Sequence, residues 1–289
     1  MAEGGLALNA PAKVNLALHV TGRRADLYHL IDSIAVFAEI GDRIEVAAAD
    51  RLNVSLSGRF AAHAPGDRTD LAWRAAEAFF AAAGLKPGAA IRVEKNIPAG
   101  AGLGGGSADA AAVLVALDRF FETRIPAKIL GAIGLNLGAD VPMCLRGGAL
   151  RARGIGEEIE PLEGWPALPL VLVWPGRSVS TAEVFRTLPK RENPPLPPLP
   201  PLPRIGTAED AASWLALCRN DLEGPALALT AEIGEALRLL RGHHCMLARM
   251  SGSGSACFGL YADIAAAQAA ALALRKDRPG WWVEAALAH

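Results

Sequence analysis

Five glycines fall within the seven residues from Gly100 to Gly106, in the stretch Pro98-Ala99-Gly100-Ala101-Gly102-Leu103-Gly104-Gly105-Gly106-Ser107-Ala108. Each glycine costs backbone entropy, so a run this dense needs a reason. The flanks supply one: a loop whose amide hydrogens converge on one anion, followed by a helix whose positive end faces the same point. A second set of chemistry-bearing residues is scattered around it. Lys13 and Asn15 stand two apart in an alternating stretch, so on a strand they project together. Asp140 follows a helix-stop glycine among apolar neighbours, where a carboxylate calls for a nearby cation, and Lys13 is the partner expected for it. Tyr28 and His29 place a flat ring beside a hydrogen-bonding imidazole, a pair suited to a heterocyclic base. Lys95, on the inward face of the stretch before the glycines, offers a cation to phosphate.

The elements that must position these residues follow from periodicity. Ala90 to Lys95 alternates as a strand, and Ala110 to Leu117 is unbroken apolar helix former, with Ser107 placed as N-cap. Strand, glycine loop and buried helix together make a phosphate cradle rather than a plain turn, which needs only one or two glycines. Gly100-x-Gly102-x-x-Gly105 also fits the dinucleotide pattern, but the preceding strand is half polar and ends in Pro98, unlike a strand buried on both faces. No Gly-Lys-Ser or Gly-Lys-Thr follows, which excludes a P-loop. Further strands are expected at 12–20, 31–46 and 52–56, and helices at 70–83 and 126–137. A second domain opens near Gly164 with the apolar strand Leu168 to Trp174, then a short helix carrying Thr181 and Phe185. From Asn193 to Pro203 seven of eleven residues are proline, expected as an extended surface linker. Two helices, a hairpin around Ser251 to Ser255, a helix at 262–274 and a strand at 281–286 complete the order of a ferredoxin-like α+β sandwich.

At 289 residues the chain has length for two domains, read as 1–163 and 164–289. Its net charge of -1 argues against nucleic acid or an anionic membrane as partner. Four cysteines without a Cys-x-x-Cys pair indicate neither zinc nor a disulfide framework, and no metal ligands are assigned. The start, Met-Ala-Glu-Gly-Gly, lacks the basic and apolar regions of a leader, so the cytoplasm is the expected location.

Three separated motifs, Pro11-Ala12-Lys13-Val14-Asn15-Leu16, the glycine loop through Ser107, and Met250-Ser251-Gly252-Ser253-Gly254, together resemble the GHMP kinases, ATP-dependent kinases of small molecules. Thr21-Gly22-Arg23-Arg24-Ala25-Asp26-Leu27-Tyr28-His29, Leu137-Gly138-Ala139-Asp140-Val141-Pro142 and Asn220-Asp221-Leu222-Glu223 resemble the branch acting on 4-diphosphocytidyl-2-C-methyl-D-erythritol in the non-mevalonate isoprenoid pathway. The resemblance implies an α+β fold, with an N-terminal domain like domain 2 of ribosomal protein S5 and a ferredoxin-like C-terminal domain. It implies Asp140 as base toward the substrate hydroxyl and Lys13 as the lysine that polarises it. Asn15, Tyr28 and His29 match positions holding the cytidine diphosphate substrate, with Tyr28 stacking on cytosine. Phe185 matches a second stacking aromatic, with Thr181 on the same helix. Pro98 to Ala108 match the loop around ATP and its Mg²⁺, and Lys95 a nucleotide-side lysine. Homoserine and mevalonate kinases of the same superfamily are the nearest rivals, but their substrates carry no base for Tyr28-His29. A non-catalytic sensor on this fold is the rival from another class, and a homodimer stays open beside a monomer. Leu27 departs from the pattern, standing where glycine is usual, and Asp70 stands where asparagine often precedes leucine.

Overall fold

The computed structural model describes residues 5–201 and 204–289. The leader reading of Met1 to Gly4 and the end of the proline stretch, Leu202 and Pro203, lie outside the described residues. In chain order the elements are β1 (Leu6–Arg23), β2 (His29–Ala48), β3 (Asn53–Ser57), α1 (Leu71–Ala83), β4 (Ala89–Glu94), α2 (Gly105–Phe120), α3 (Ala127–Leu137), α4 (Val141–Arg146), β5 (Leu150–Gly154), β6 (Glu158–Pro161) and β7 (Leu168–Trp174). Then come α5 (Thr181–Arg186), α6 (Ala208–Leu215), α7 (Glu223–Leu229), α8 (Ala231–Gly242), β8 (Leu247–Met250), β9 (Cys257–Leu260), α9 (Ile264–Asp277) and β10 (Trp282–Ala288).

The chain forms two compact units, and their sequence is interleaved. One takes residues up to Ala12, Ile40–Ala99 and Gly104–Gly147; the other takes Lys13–Glu39, Gly100–Leu103 and Gly148–His289. A single cut after residue 163 therefore does not reproduce the compact units, since β1 and β2 each give residues to both.

In the first unit β4 lies between two partners. The end of β2 runs antiparallel to it, with Val46 opposite Ile91, and β3 runs parallel, with Val54 opposite Ile91. The alternation of Ile91 and Val93 turns one face toward α1 and α2, where Phe79, Phe80, Leu114 and Leu117 are buried with them. Asp70 caps α1 by accepting the Ala72 N–H at 2.9 Å, which assigns that aspartate a local structural task. The alanines of α2 leave room for α1 to approach closely. Ser107 is not the N-cap of α2. The helix starts two residues earlier, at Gly105, and Gly104 holds the cap position in the left-handed region at φ 67° with no side-chain bond, a conformation glycine adopts without strain.

The second unit holds an antiparallel sheet in the order β8-β9-β7-β10. With α5 to α8 between β7 and β8, and α9 between β9 and β10, this is the split β-α-β-β-α-β arrangement expected from sequence. β7 is buried along nearly all its length, which is why it reads as a continuous apolar run. Leu237, Leu240, Leu274, Val171 and Val173 form the core under α8 and α9. Beside it β5 pairs with β2 and β6, Ser33 standing opposite Ala152. These two strands are rich in Arg and Glu and half exposed, so they carry little apolar signal. Three helices, α6 to α8, stand where two were expected.

The proline stretch is held down rather than loose. Asn193 donates its N–H to Val20 O at 3.0 Å, and the buried Leu196 donates its N–H to Asp32 Oδ2 at 2.9 Å. Asp32 itself accepts from Arg151 Nε and Nη2, at 2.8 and 2.7 Å. Proline lacks an amide hydrogen, so the non-proline residues of the stretch carry these anchoring donors.

Candidate active site

The node of the second unit is Asn15. It lies on β1 and is buried, as are Lys13 and His19, so this strand is covered on the polar face as well as the aliphatic one. The Lys13 ammonium donates to Asn15 Oδ1 at 2.9 Å. The Asn15 side-chain amide donates to Ser33 Oγ at 2.8 Å, and Ser33 passes its own hydrogen to Ala17 O at 2.7 Å. The Asn15 backbone N–H donates to Ser251 Oγ at 3.1 Å, and Ser251 in turn donates to Gly102 O at 3.0 Å. Three motifs far apart in sequence, around residues 13–15, 102 and 251, thus share one hydrogen-bond chain. Buried polar groups fully paired in this way fix one arrangement.

The first half of the glycine loop is built onto the Ser251 turn. Lys13 N–H donates to Leu103 O at 2.9 Å, and Ala256 N–H to Ala101 O at 2.8 Å. At Gly102, with φ 78°, a Cβ would lie 2.6 Å from Ser251 O and 2.8 Å from Gly254 O, so no other residue fits. Asn220 holds the turn from beneath, its side-chain amide donating to Met250 O at 2.9 Å and Gly252 O at 2.8 Å. Thr181, the first residue of α5, reaches the same turn with its hydroxyl 2.8 Å from Ser253 Oγ.

The Tyr28-His29 pair divides. Tyr28 is exposed, at the end of a turn closed by the Arg24 N–H to Tyr28 O bond of 2.8 Å. Leu27 in that turn has φ 73°, the backbone region that favours glycine. His29 instead stacks on Phe185, with 4.7 Å between ring centroids and 21° between planes. Its Nε2 is buried and has no hydrogen-bond partner. Burial, aided by Arg23 and Arg191, pushes the His29 pKa below its ordinary value, so the ring stays neutral near pH 7.

In the first unit, Pro98, Ala99 and Gly104 to Ala108 lead into and begin α2, a sixteen-residue helix. Gly100 to Leu103 belong to the second unit, as do Asn15, Tyr28, His29, Thr181 and Phe185. Lys95 does not supply the open cation that its place in the sequence suggested. Its ammonium is buried between the carboxylates of Asp42 and Asp109. Asp140 also differs from expectation. It follows α3, but it also takes the N-cap position of α4, a short helix unrecognised in sequence, where the helix dipole favours a carboxylate.

Models of the GHMP kinases N terminal domain and of GHMP kinases C terminal match residues 70–148 and 203–279. The chain is 48% identical over 279 residues to the 4-diphosphocytidyl-2-C-methyl-D-erythritol kinase of Cereibacter sphaeroides, covering 96% of this chain and 97% of that one. The enzyme of that name from Mesorhizobium japonicum is 49% identical over 284 residues, covering 98% and 95%. This chain belongs to the 4-diphosphocytidyl-2-C-methyl-D-erythritol kinase family. A crystal structure of 4-(cytidine 5'-diphospho)-2C-methyl-D-erythritol kinase superposes with a TM-score of 0.81 at 38% identity, over 98% of this chain and 99% of that one. A homoserine kinase from Cytophaga hutchinsonii superposes with a TM-score of 0.72 at 17% identity, over 100% and 96%, a likeness of fold. The GHMP kinase fold and the ATP-dependent phosphotransferase class expected from the motifs are thus established for the chain.

Several residues bonded to the predicted site residues were not singled out from sequence. Ser33 and Asp42 carry no local signal, because each acts through a partner many positions away. Asp109 had one: it is a lone charge in an alanine run. Ser251 was visible only as part of a glycine turn.

Proposed function

We propose that this chain transfers the γ-phosphoryl group of ATP to the tertiary 2-hydroxyl of 4-diphosphocytidyl-2-C-methyl-D-erythritol, with Asp140 as base. Asp140 takes the hydroxyl proton, the freed oxygen bonds to the γ-phosphorus, and the bond from phosphorus to the bridging oxygen breaks to leave ADP. Lys13, aligned by Asn15, steadies the charge that grows on the attacking oxygen. Phosphoryl transfer asks the protein mainly for alignment and charge stabilisation. The amides of residues 98 to 108 and the N-terminus of α2 hold the triphosphate. Asn15, Thr181, His29 and Phe185 hold the cytidine diphosphate part, with the exposed Tyr28 closing on the base.

The observation that carries this reading is the chain of bonds from Lys13 through Asn15 and Ser251 to Gly102, which ties the polarising lysine to the phosphate loop. Among the described residues no three His, Cys, Asp or Glu side chains are grouped to hold a metal ion. Mg²⁺ bound with ATP would supply charge neutralisation to its phosphates. Residues 1–163 and 164–289 serve as the two domains in the family sense, and the two family models fall one on each side of that boundary. We assign the reaction to the cytoplasm, with four free cysteines in support, and note that no described helix is long and apolar enough to cross a membrane. A homodimer is checked by light scattering of the purified protein.

A coupled ADP-release assay with 4-diphosphocytidyl-2-C-methyl-D-erythritol, mevalonate and homoserine side by side tests the reading. Turnover with the first compound alone is expected. Turnover confined to either of the others overturns it.

A further inference from the structure

A phosphate loop has no need of two acids beneath a lysine, yet Lys95 is held by Asp42 and Asp109, with all three side chains buried. Asp42 lies on β2, and its second oxygen accepts the backbone N–H of Asn96 at 2.5 Å and of Ile97 at 2.8 Å. Those are the two residues between Lys95 and Pro98, where the loop begins. Asp109 lies in the second turn of α2, the helix that leaves the loop. The position of a Cβ at Gly105, the first residue of α2, is 3.7 Å from Asp42 Oδ2. One cluster therefore grips both the backbone entering the loop and the helix leaving it.

The Lys95 ammonium is engaged by both acids, and its backbone is fixed as well. Its N–H donates to Ser57 O at 2.7 Å and its carbonyl accepts the Phe60 N–H at 3.0 Å. Its side chain is 4% exposed. A buried charge needs paired and hydrogen-bonded neighbours, and a lysine released from both acids would leave them uncompensated. Burial pushes the Asp109 carboxyl above the usual carboxylate range, while the Lys95 ammonium beside it pulls the other way.

We infer that Lys95 is a positioning residue for the nucleotide loop: held by Asp42 and Asp109, it fixes the Asn96–Ile97 backbone and the start of α2, and it acts on ATP through their amides without touching phosphate. The inference rests on the ATP reading of the loop. It differs from direct phosphate contact in what Asp42 does. If Lys95 bound phosphate, removing an acid that competes for its ammonium would tighten ATP binding. If Lys95 positions the loop, removing that acid frees the loop and weakens binding.

The experiment compares KM for ATP, KM for the alcohol substrate and calorimetric ATP binding in Asp42→Asn, Lys95→Met and the double variant Lys95→Met/Asp109→Leu. The double variant removes the cation and one acid together and leaves Asp42 with the Asn96 and Ile97 amides, so it is expected to destabilise the fold less than Lys95→Met alone, with a urea midpoint checked for each variant. Each variant is expected to raise KM for ATP about tenfold to a hundredfold, with KM for the alcohol within about twofold of the starting protein. An unchanged or lowered KM for ATP in Asp42→Asn overturns the inference, as does an unchanged value in the double variant. Gly104→Val runs beside them: if it leaves ATP binding intact, the reading of the loop itself has failed rather than the role of the cluster.

Discussion

The imidazole of His29 lies flat against the ring of Phe185, 4.7 Å between centroids, with its Nε2 buried and unmet by any hydrogen-bond partner. A flat apolar wall edged by one unsatisfied polar atom is a fitting surface for a heterocyclic base. Phe185→Ala removes the wall while sparing the loop around ATP. KM for the cytidine-bearing substrate should rise about twofold to tenfold, in keeping with the roughly 0.5–1.5 kcal/mol of a stacked pair, and KM for ATP should hold. Steady-state kinetics with each substrate varied in turn decides it; equal rises in both constants would show general damage instead.

Asp140→Ala should lower kcat by about a hundredfold to ten-thousandfold, the usual worth of a positioned proton acceptor, while ATP binds nearly as before. Single-turnover measurement of phosphoryl transfer, with calorimetric ATP binding on the same sample, is the check. Full turnover in the variant removes Asp140 from the role of base.

Leu27 holds φ 73° on an exposed turn, where glycine carries no steric cost. Leu27→Gly trades that strain against the greater freedom of glycine in the unfolded chain. The balance should favour the variant by about 0.5 kcal/mol, read as a shifted urea midpoint at unchanged slope. A lower midpoint would mean that the leucine side chain makes contacts worth more than its backbone strain.

Stability should fall on mild acidification. His19 is fully buried on β1, its Nδ1 donating to Pro194 O at 3.0 Å and its Nε2 accepting the Arg219 N–H at 3.1 Å, so both ring nitrogens are engaged in the neutral form. Burial holds its pKa below the ordinary 6.5. The unfolded chain then binds more protons between the folded pKa and 6.5, so stability rises with pH through that window and is lost as pH drops through it. His29 contributes with the same sign. Urea midpoints at pH 7.5 and 5.5 measure the slope, and His19→Gln should flatten it. An equal slope in that variant assigns the effect elsewhere.

The parts of this molecule legible in sequence are those where one residue type has a local cost or period. The glycine run announced its loop because nothing cheaper than a ligand explains five such residues together, and the continuous apolar run of Leu168 to Trp174 announced a strand buried on both faces. Lys13 and Asn15 were legible by alternation. What stayed hidden is long-range pairing: Asn15 meets Ser251 across 236 positions, and no window of sequence displays that. The ion pair that holds Lys95 stayed hidden for the same reason, since its partner Asp42 stands 53 positions earlier. Ser107 misled differently: a good capping residue stood three positions beyond Gly104, which opens the helix by backbone conformation alone. The short α4 escaped because six residues including Pro142 carry too little period to register.

Arg249 donates to Leu16 O as well as to Leu215 O and Cys218 O, and Val20 N–H is received by Asp221. During synthesis the early strand must therefore leave the ribosome and wait, its carbonyls and amides hydrated, until residues more than two hundred positions later emerge. This half of the enzyme acquires its tertiary structure only when translation is almost over, and a gene split in the middle yields two polypeptides that have to find each other.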